Sequence, residues 1–437
     1  SMRILSNASV LACVVVFAGC APKMMETPTL VSEGLVDPFG GVLPERRTTS
    51  VPVFVASARE ATGESDPKRF YTNDRSRIVR LGVAEVALGE ELGWDGLVKA
   101  SRQTKRDANP TLKVLNYKEF GPLQSTALRY GPPESDDGPG SPAAEFADEI
   151  NAVLAESQLG QITIFVHGFN TTFAGNLITA AEFTHYMARD GVLVSFGWAS
   201  KGNVFSYHQD KANADFAIRQ FRLFLEYLAA STDARQINII AHSAGNPITI
   251  EAMRHLSLKH DGVPDEEVQR ITKLGRVVLA APDIDFESAL SASFDGATRI
   301  AEDVVLYASQ GDLALQISSD IFGDIRLGSV IGKLSPEEVE GIIERGEQNI
   351  DVTYAEKAHS SLLGHSYYHH NPWVSSDVML FLLLGPEPEE RGLVLNRETG
   401  FYEFPPDYEE NLPVLVEELR VKYADRLRRE EESTLTP

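Results

Sequence analysis

Only two cysteines, Cys13 and Cys20, occur in 437 residues, and both lie near the amino end. A disulfide framework is therefore excluded as the source of stability for the body of the chain. Basic residues are also scarce, 40 against 63 acidic, which leaves a net charge of -23. Nucleic acid and polyanionic substrates would be repelled, so neither is expected as a partner. There is no internal repeat, no Walker-type phosphate loop and no Gly-x-Gly-x-x-Gly after a strand, and no cofactor is expected. Beyond the first twenty residues no apolar run is long enough to cross a membrane. What is abundant is core material. With 43% hydrophobic residues, the length suits one large domain with additions or two small ones.

Against these shortages one pentapeptide carries chemistry, Ala241-His242-Ser243-Ala244-Gly245. It follows the β-branched run Ile237-Asn238-Ile239-Ile240 and precedes Asn246 to Met253, which has helical periodicity. A strand breaking into small-x-Ser-x-Gly and then a helix is the context of a nucleophile elbow, which holds a serine hydroxyl at the top of a sheet. The flanking residues are small because strand and helix crowd together at the turn. Ala241 stands where glycine is usual, at a cost of one methyl group of clearance. Alone, the pattern fits a buried structural serine better; motifs upstream and downstream decide for the elbow.

Upstream, the strand Gln161 to Val166 runs into His167-Gly168-Phe169-Asn170. Acyl transfer needs two fixed N–H donors aimed at the developing oxyanion. Ala244, after the serine, is expected to supply one and Phe169 the other, with Gly168 allowing close approach. The His167 side chain is expected only to cap this loop. Downstream, His359, His365, His369 and His370 are candidates for the general base. Ile350 to Tyr354 reads as a late edge strand, and Gly364-His365 as a flexible loop after it, which selects His365. No acidic or cysteine ligand sits at a helical i, i+4 offset among these histidines, so no metal is expected. Two strands end in candidate acids: Val277 to Ala281 leads to Asp283 and Asp285, and Val304 to Ser309 leads to Asp312. The acid most often follows the second strand after the elbow, which selects Asp312 and keeps Asp283 as the alternative.

Read together, these motifs and Gly364-His365-Ser366-Tyr367 resemble a family of α/β-hydrolases. That family is mostly bacterial, is grouped with esterases and lipases, and has long been carried as a domain of unknown function. The resemblance runs from Val51 to Leu384 and is strongest from Ile162 on. It implies the α/β-hydrolase fold, the roles of Ser243 and His365, and a serine-hydrolase activity; it implies no substrate. The family's Trp-Pro-Ser element reads Trp198-Ala199-Ser200 here, so the rigidity that proline gives the turn is lost.

Residues 1–20 read as a lipoprotein signal: a short apolar run ends in Phe17-Ala18-Gly19-Cys20, which resembles a bacterial lipobox with Cys20 as the acylated residue. An ordinary signal peptide cut nearby is the alternative. Residues 21–50 hold scattered prolines and read as a tether with a reach of about 30 Å. Residues 51–385 form the expected hydrolase domain, with early strands at Val51–Ala56 and Ile78–Leu88, a polar loop at 89–110, and then regularly alternating helices and strands. Ser335-Pro336-Glu337-Glu338 reads as a capping box inside the insertion 313–348. Residues 386–437 read as a hairpin and helix extension whose Leu412, Leu415, Leu419, Tyr423 and Leu427 stripe docks on the domain.

The expectation is a fold of mostly parallel sheet with helices on both faces. It would carry a serine hydrolase for a small carboxylic ester, held at the cell envelope by a lipid anchor on the periplasmic or outer-membrane side. A thioesterase, amidase or acyltransferase would use the same residues. A hydrolase-fold envelope protein without catalysis is the rival from another class.

Overall fold

The computed structural model describes residues 22–107, 109–131, 136–201, 206–322, 324–358 and 365–433. Cys20 with the rest of the signal segment, His359 and Gly364 lie outside the described residues.

Among the described residues the first helix is a single turn, α1 (Thr29–Ser32), followed by β1 (Ser50–Ala61), β2 (Tyr71–Leu88), α2 (Gly93–Arg102) and β3 (Leu112–Leu123). Regular alternation then begins with α3 (Pro142–Leu154), β4 (Gln161–Val166), α4 (Phe173–Tyr186), β5 (Val192–Gly197) and α5 (Tyr207–Ser231). It continues with β6 (Gln236–His242), α6 (Gly245–Lys259), α7 (Asp265–Thr272), β7 (Leu274–Ala280), α8 (Phe286–Phe294), β8 (Asp303–Ala308), α9 (Leu313–Phe322), α10 (Pro336–Arg345) and β9 (Gln348–Asp351). The closing elements are α11 (Thr353–Ala358), α12 (Tyr367–His370), α13 (Pro372–Leu384), β10 (Val394–Asn396), β11 (Phe401–Glu403) and α14 (Tyr408–Ser433). Local signals set several boundaries. Ser141 caps α3 with Pro142 at its first position, and Ser335 with Glu338 closes the expected capping box on α10.

The strands form one eleven-stranded sheet in the order β10-β11-β9-β8-β7-β6-β4-β5-β1-β2-β3. From β11 to β1 neighbours run parallel, while β2 and β3 pair antiparallel at one edge and β10 at the other. Alternate strand residues divide between two cores. Val53 and Val55 face the α4 and α13 side, and Phe54 and Ala56 face the α3, α5 and α6 side. β4 has β5 on one side and β6 on the other, so consecutive connections leave it in opposite directions. That switch point opens a crevice at the carboxyl ends of β4 and β6, where functional groups of open α/β sheets collect.

Four expectations are corrected. The expected tether packs: Met24, Met25, Leu30, Val31 and Phe39 are buried in the core beside α13. Its prolines start turns, but the apolar residues between them bury enough surface to hold the segment down. The expected loop 89–110 contains α2, which buries Leu97 and Ala100 beneath a polar outer face. β9 is not an edge strand, since β8 pairs on one side and β11 on the other, and the chain turns helical at Thr353. The division at 385/386 is no boundary, because β11 extends the same sheet. Arg391 is fully buried against α13, donating to Asp377 Oδ2 (2.6 Å) and to Gln348 Oε1 (2.9 Å). The last helix docks through buried Tyr408, Leu412, Val416 and Leu419; of the expected stripe, Leu415 and Tyr423 are half-buried and the Leu427 side chain lies outside the described residues.

Candidate active site

Ser243 sits at the turn between β6 and α6 with φ of 51°, a left-handed conformation that side chains rarely adopt. The glycines around it are required by close approach. A Cβ on Gly245 would lie 2.5 Å from Val166 O and 2.7 Å from His167 O, and one on Gly168 would lie 2.9 Å from Ser243 Cβ. The turn is tied down from both sides: Ser243 N–H donates to Ala280 O (3.0 Å), and the Asn246 amide donates to Ser243 O and Ala280 O (3.0 Å each).

The loop before α12 brings His365 to this turn. Its Nε2 lies 2.8 Å from Ser243 Oγ and its Nδ1 lies 2.8 Å from Asp312 Oδ2. A carboxylate only accepts, so Nδ1 carries the proton and Nε2 is left to accept from the serine hydroxyl. Asp312 follows β8, is fully buried, and takes a second bond at Oδ1 from Leu315 N–H (3.1 Å). Burial alone would lower the His365 pKa, but the charge and hydrogen bond of Asp312 outweigh it and raise it.

The alternative acid lies beside the site, its N–H donating to Ser243 O (3.3 Å), but its carboxylate makes no hydrogen bond to His365. Asp283 Oδ1 accepts from Ser318 Oγ (2.8 Å) and faces Arg326 Nε at 3.5 Å, while Asp285 caps α8 by accepting from Ser288 N–H (2.9 Å). His369 stacks on Tyr368 and His370 and has no bond to the serine. Ser243, His365 and Asp312 thus come together, and Asp283, Asp285, His369 and His370 do not join them.

His167 behaves as expected of a loop cap. Its Nδ1–H donates to Gly168 O (2.8 Å), Nε2 accepts from Trp198 N–H (3.2 Å), and the Trp198 indole donates back to His167 O (2.7 Å). Burial, reinforced by the nearby Arg59 charge, holds its pKa down to about 3, so it stays neutral. The turn that lacks proline is held by hydrogen bonds instead. Ser200 Oγ donates to Asp210 Oδ2 (2.8 Å), Lys201 N–H to Asp210 Oδ1 (2.9 Å), and Asn213 Nδ2 to Ala199 O (2.7 Å). Phe169 and Ala244 line the same cavity of about 270 Å³, whose wall is largely charged, with Asp210, Lys211, Asp215, Glu251, Asp283 and Arg326 beside the apolar Ala214, Ile218, Pro247 and Ile284.

Two residues escaped the sequence reading. Arg59, at the end of β1, is fully buried and bridges the loops, donating to Thr171 O (2.7 Å) and Ser200 O (3.3 Å) with His167 Nε2 at 3.5 Å. A cation at the carboxyl end of an otherwise apolar strand was the available signal. His242 is pinned neutral by burial, its pKa lowered to about 3, and its Nε2–H donates to His365 O (2.8 Å). The residue before Ser243 thus holds the backbone of the residue that faces it. No local pattern announces a contact made across so many residues.

Residues 142–382, more than half of the chain, match the family described as "Alpha/beta hydrolase of unknown function (DUF900)". Among solved structures the chain is similar to C6-C4 SN3 inhibited esterase B from Lactobacillus rhamnosis. The identity is 13%, the coverage 52% of this chain and 76% of that one, and the TM-score 0.27. No curated protein matches.

Proposed function

The chain belongs to this family of α/β-hydrolases, and on that premise we propose that it is a serine hydrolase that cleaves a carboxylic ester through an acyl-enzyme. The observation that carries the reading is the unbroken hydrogen-bonded series from Ser243 Oγ through His365 to buried Asp312. In this reading His365 Nε2 takes the serine proton as Oγ attacks the acyl carbon, and returns it to the leaving alkoxide. Asp312 keeps the imidazole in the tautomer that can accept, and stabilises the imidazolium formed. The N–H groups of Phe169 and Ala244 bind the oxyanion. Water then enters, is deprotonated by the same imidazole, and releases the acid.

A fluorophosphonate probe is expected to label Ser243, and Ser243→Ala to abolish labelling and ester turnover together. Labelling that survives in the variant overturns the assignment of the serine. An unlabelled wild type overturns the hydrolase reading.

We propose further that the protein is a cell-envelope lipoprotein acylated at Cys20, which the run ending in Ala18-Gly19-Cys20 supports. Because Met24 and Met25 are already packed into the core, such an anchor would hold the body close to the bilayer rather than on a long tether. Expressed from Met2 in a bacterium, the chain is expected in the membrane fraction with a lipid mass shift that Cys20→Ser removes. An unchanged mass shift in that variant refutes it.

A further inference from the structure

Behind the proposed acid lies a carboxyl that the catalytic series does not use. Glu356, on α11, backs the turn from Ser309 to Asp312. Gly311 N–H donates to Ser309 Oγ (3.1 Å), and the Ser309 hydroxyl in turn donates to Glu356 Oε2. Beside this relay, Gln310 N–H donates to Thr353 Oγ1 (2.9 Å) at the start of α11. A Cβ on Gly311 would lie 3.8 Å from Glu356 Oε2, so the carboxyl runs alongside the residue that precedes Asp312. Its other oxygen, Oε1, is buried without a hydrogen bond among the described residues.

The groups that face Glu356 there are Asp312 from the loop after β8, Asp351 at the end of β9, and His365 and Tyr367 near α12. Lys357, next on α11, acts on Asp351. A buried carboxylate with an unsatisfied oxygen beside another carboxylate is costly. Burial first, and then Asp312 and Asp351, push Glu356 up to about 7 against the opposing Ser309 bond and His365 charge.

We propose that Glu356, acting through Ser309, is a positioning residue for Asp312 and tunes the proton affinity of His365. The inference rests on the serine-hydrolase reading. Mechanically, Glu356 and Thr353 clamp the turn that aims the Asp312 carboxylate. Electrostatically, Glu356 and His365 titrate as a coupled pair: an ionised Glu356 favours the imidazolium, and the imidazolium favours an ionised Glu356. The acid limb of turnover then lies at higher pH than Asp312 alone would set.

Glu356→Gln separates the two effects, because the amide oxygen can still accept from Ser309 but carries no charge. The His365 Nδ1 proton followed by NMR across pH reports the coupling without any turnover. In Glu356→Gln the His365 midpoint is expected to fall by roughly half a pH unit, with the acid limb of kcat/KM moving equally. Ser309→Ala, which cuts the brace, is expected to lower kcat roughly tenfold with little change in KM. A His365 midpoint identical in wild type and Glu356→Gln overturns the proposal. A shifted midpoint in a protein whose Ser243 does not react with fluorophosphonate upholds the coupling and overturns only the hydrolase reading.

Discussion

In the loop after β4, and where β6 and β7 end, three residues other than glycine hold positive φ: Asn170 at 55°, Ser243 at 51° and Ala281 at 46°. Among the described residues, β1, β2 and β3 contain no such residue. Left-handed backbone costs a side chain roughly 1–2 kcal/mol; Ala188, Arg189 and Lys273 also hold it in turns away from the crevice, so such strain marks the crevice without being confined to it, while β1, β2 and β3 carry none. That flank is held by contacts between distant parts of the chain. Met25 N–H donates to Glu182, Leu30 N–H to Ser376 Oγ (3.2 Å), and the Arg106 guanidinium to Met24 O (3.1 Å), Met25 O (2.8 Å) and Thr27 Oγ1 (2.9 Å). The crevice is thus made by short turns that aim groups at one point, and the flank and carboxyl extension by bolts that keep the sheet beneath those turns rigid.

If this contrast is right, changes at the crevice should cost turnover without stability, and changes at the bolts the reverse. The largest effect is expected from Asp312→Asn. Losing control of the His365 tautomer should lower kcat by roughly 10⁴-fold in a folded protein, while Asp283→Asn, whose partners are Ser318 and Arg326, should retain most of its turnover. The opposite ranking, read in folded, monodisperse protein, would transfer the acid role to Asp283.

Next in size is a bolt. Arg391→Met leaves Asp377 buried without its cation and should cost about 3–5 kcal/mol in denaturant unfolding, with part of that recovered in Arg391→Met/Asp377→Leu. A loss below 1 kcal/mol would mean that the carboxyl extension is not part of the structural unit.

The smallest effect sharpens the amino-terminal side. Burial pushes Glu182 up from 4.5 to about 8, against the Met25 N–H bond and the Arg106 charge. The folded state therefore binds this proton more tightly than the unfolded chain does. Its contribution to stability is complete below about 4.5 and is lost as pH climbs through about 8. Glu182→Gln keeps an acceptor for Met25 but cannot ionise, so its Tm should decline less across that window, by a few degrees at the alkaline end. Parallel Tm curves for the two proteins would show that Glu182 does not titrate between those limits.

Legibility follows the same division. β6 and β7 are buried on both faces, so they read as apolar runs, and the elbow between strand and helix is spelled by adjacent residues. His365 and Asp312 were reachable because chain order in this fold restricts where a base and an acid can come from. β3 was not legible, since its half-exposed, charge-bearing pattern resembles a polar loop until β2 pairs with it. The segment from Met24 to Phe39 failed for a related reason: its prolines and glycines describe turns, and only the apolar floor supplied by α4 and α13 makes those turns a packed element.

By itself, then, the amino-acid order determined the alternating α/β plan, the crowded turn at Ser243, the loop capped by His167 and the short list of partners for the serine. Each is set by neighbours a few residues apart, where propensity, periodicity and steric size act directly. Only the tertiary structure showed that Asp312, the acid chain order favoured, meets His365 while Asp283 does not, that His242 and Arg59 brace the loops, and that the segment from Met24 to Phe39 and the carboxyl extension are bolted to the body of the fold. These depend on distances between residues remote in sequence, which are fixed only once burial has chosen one packing of the sheet and its helices.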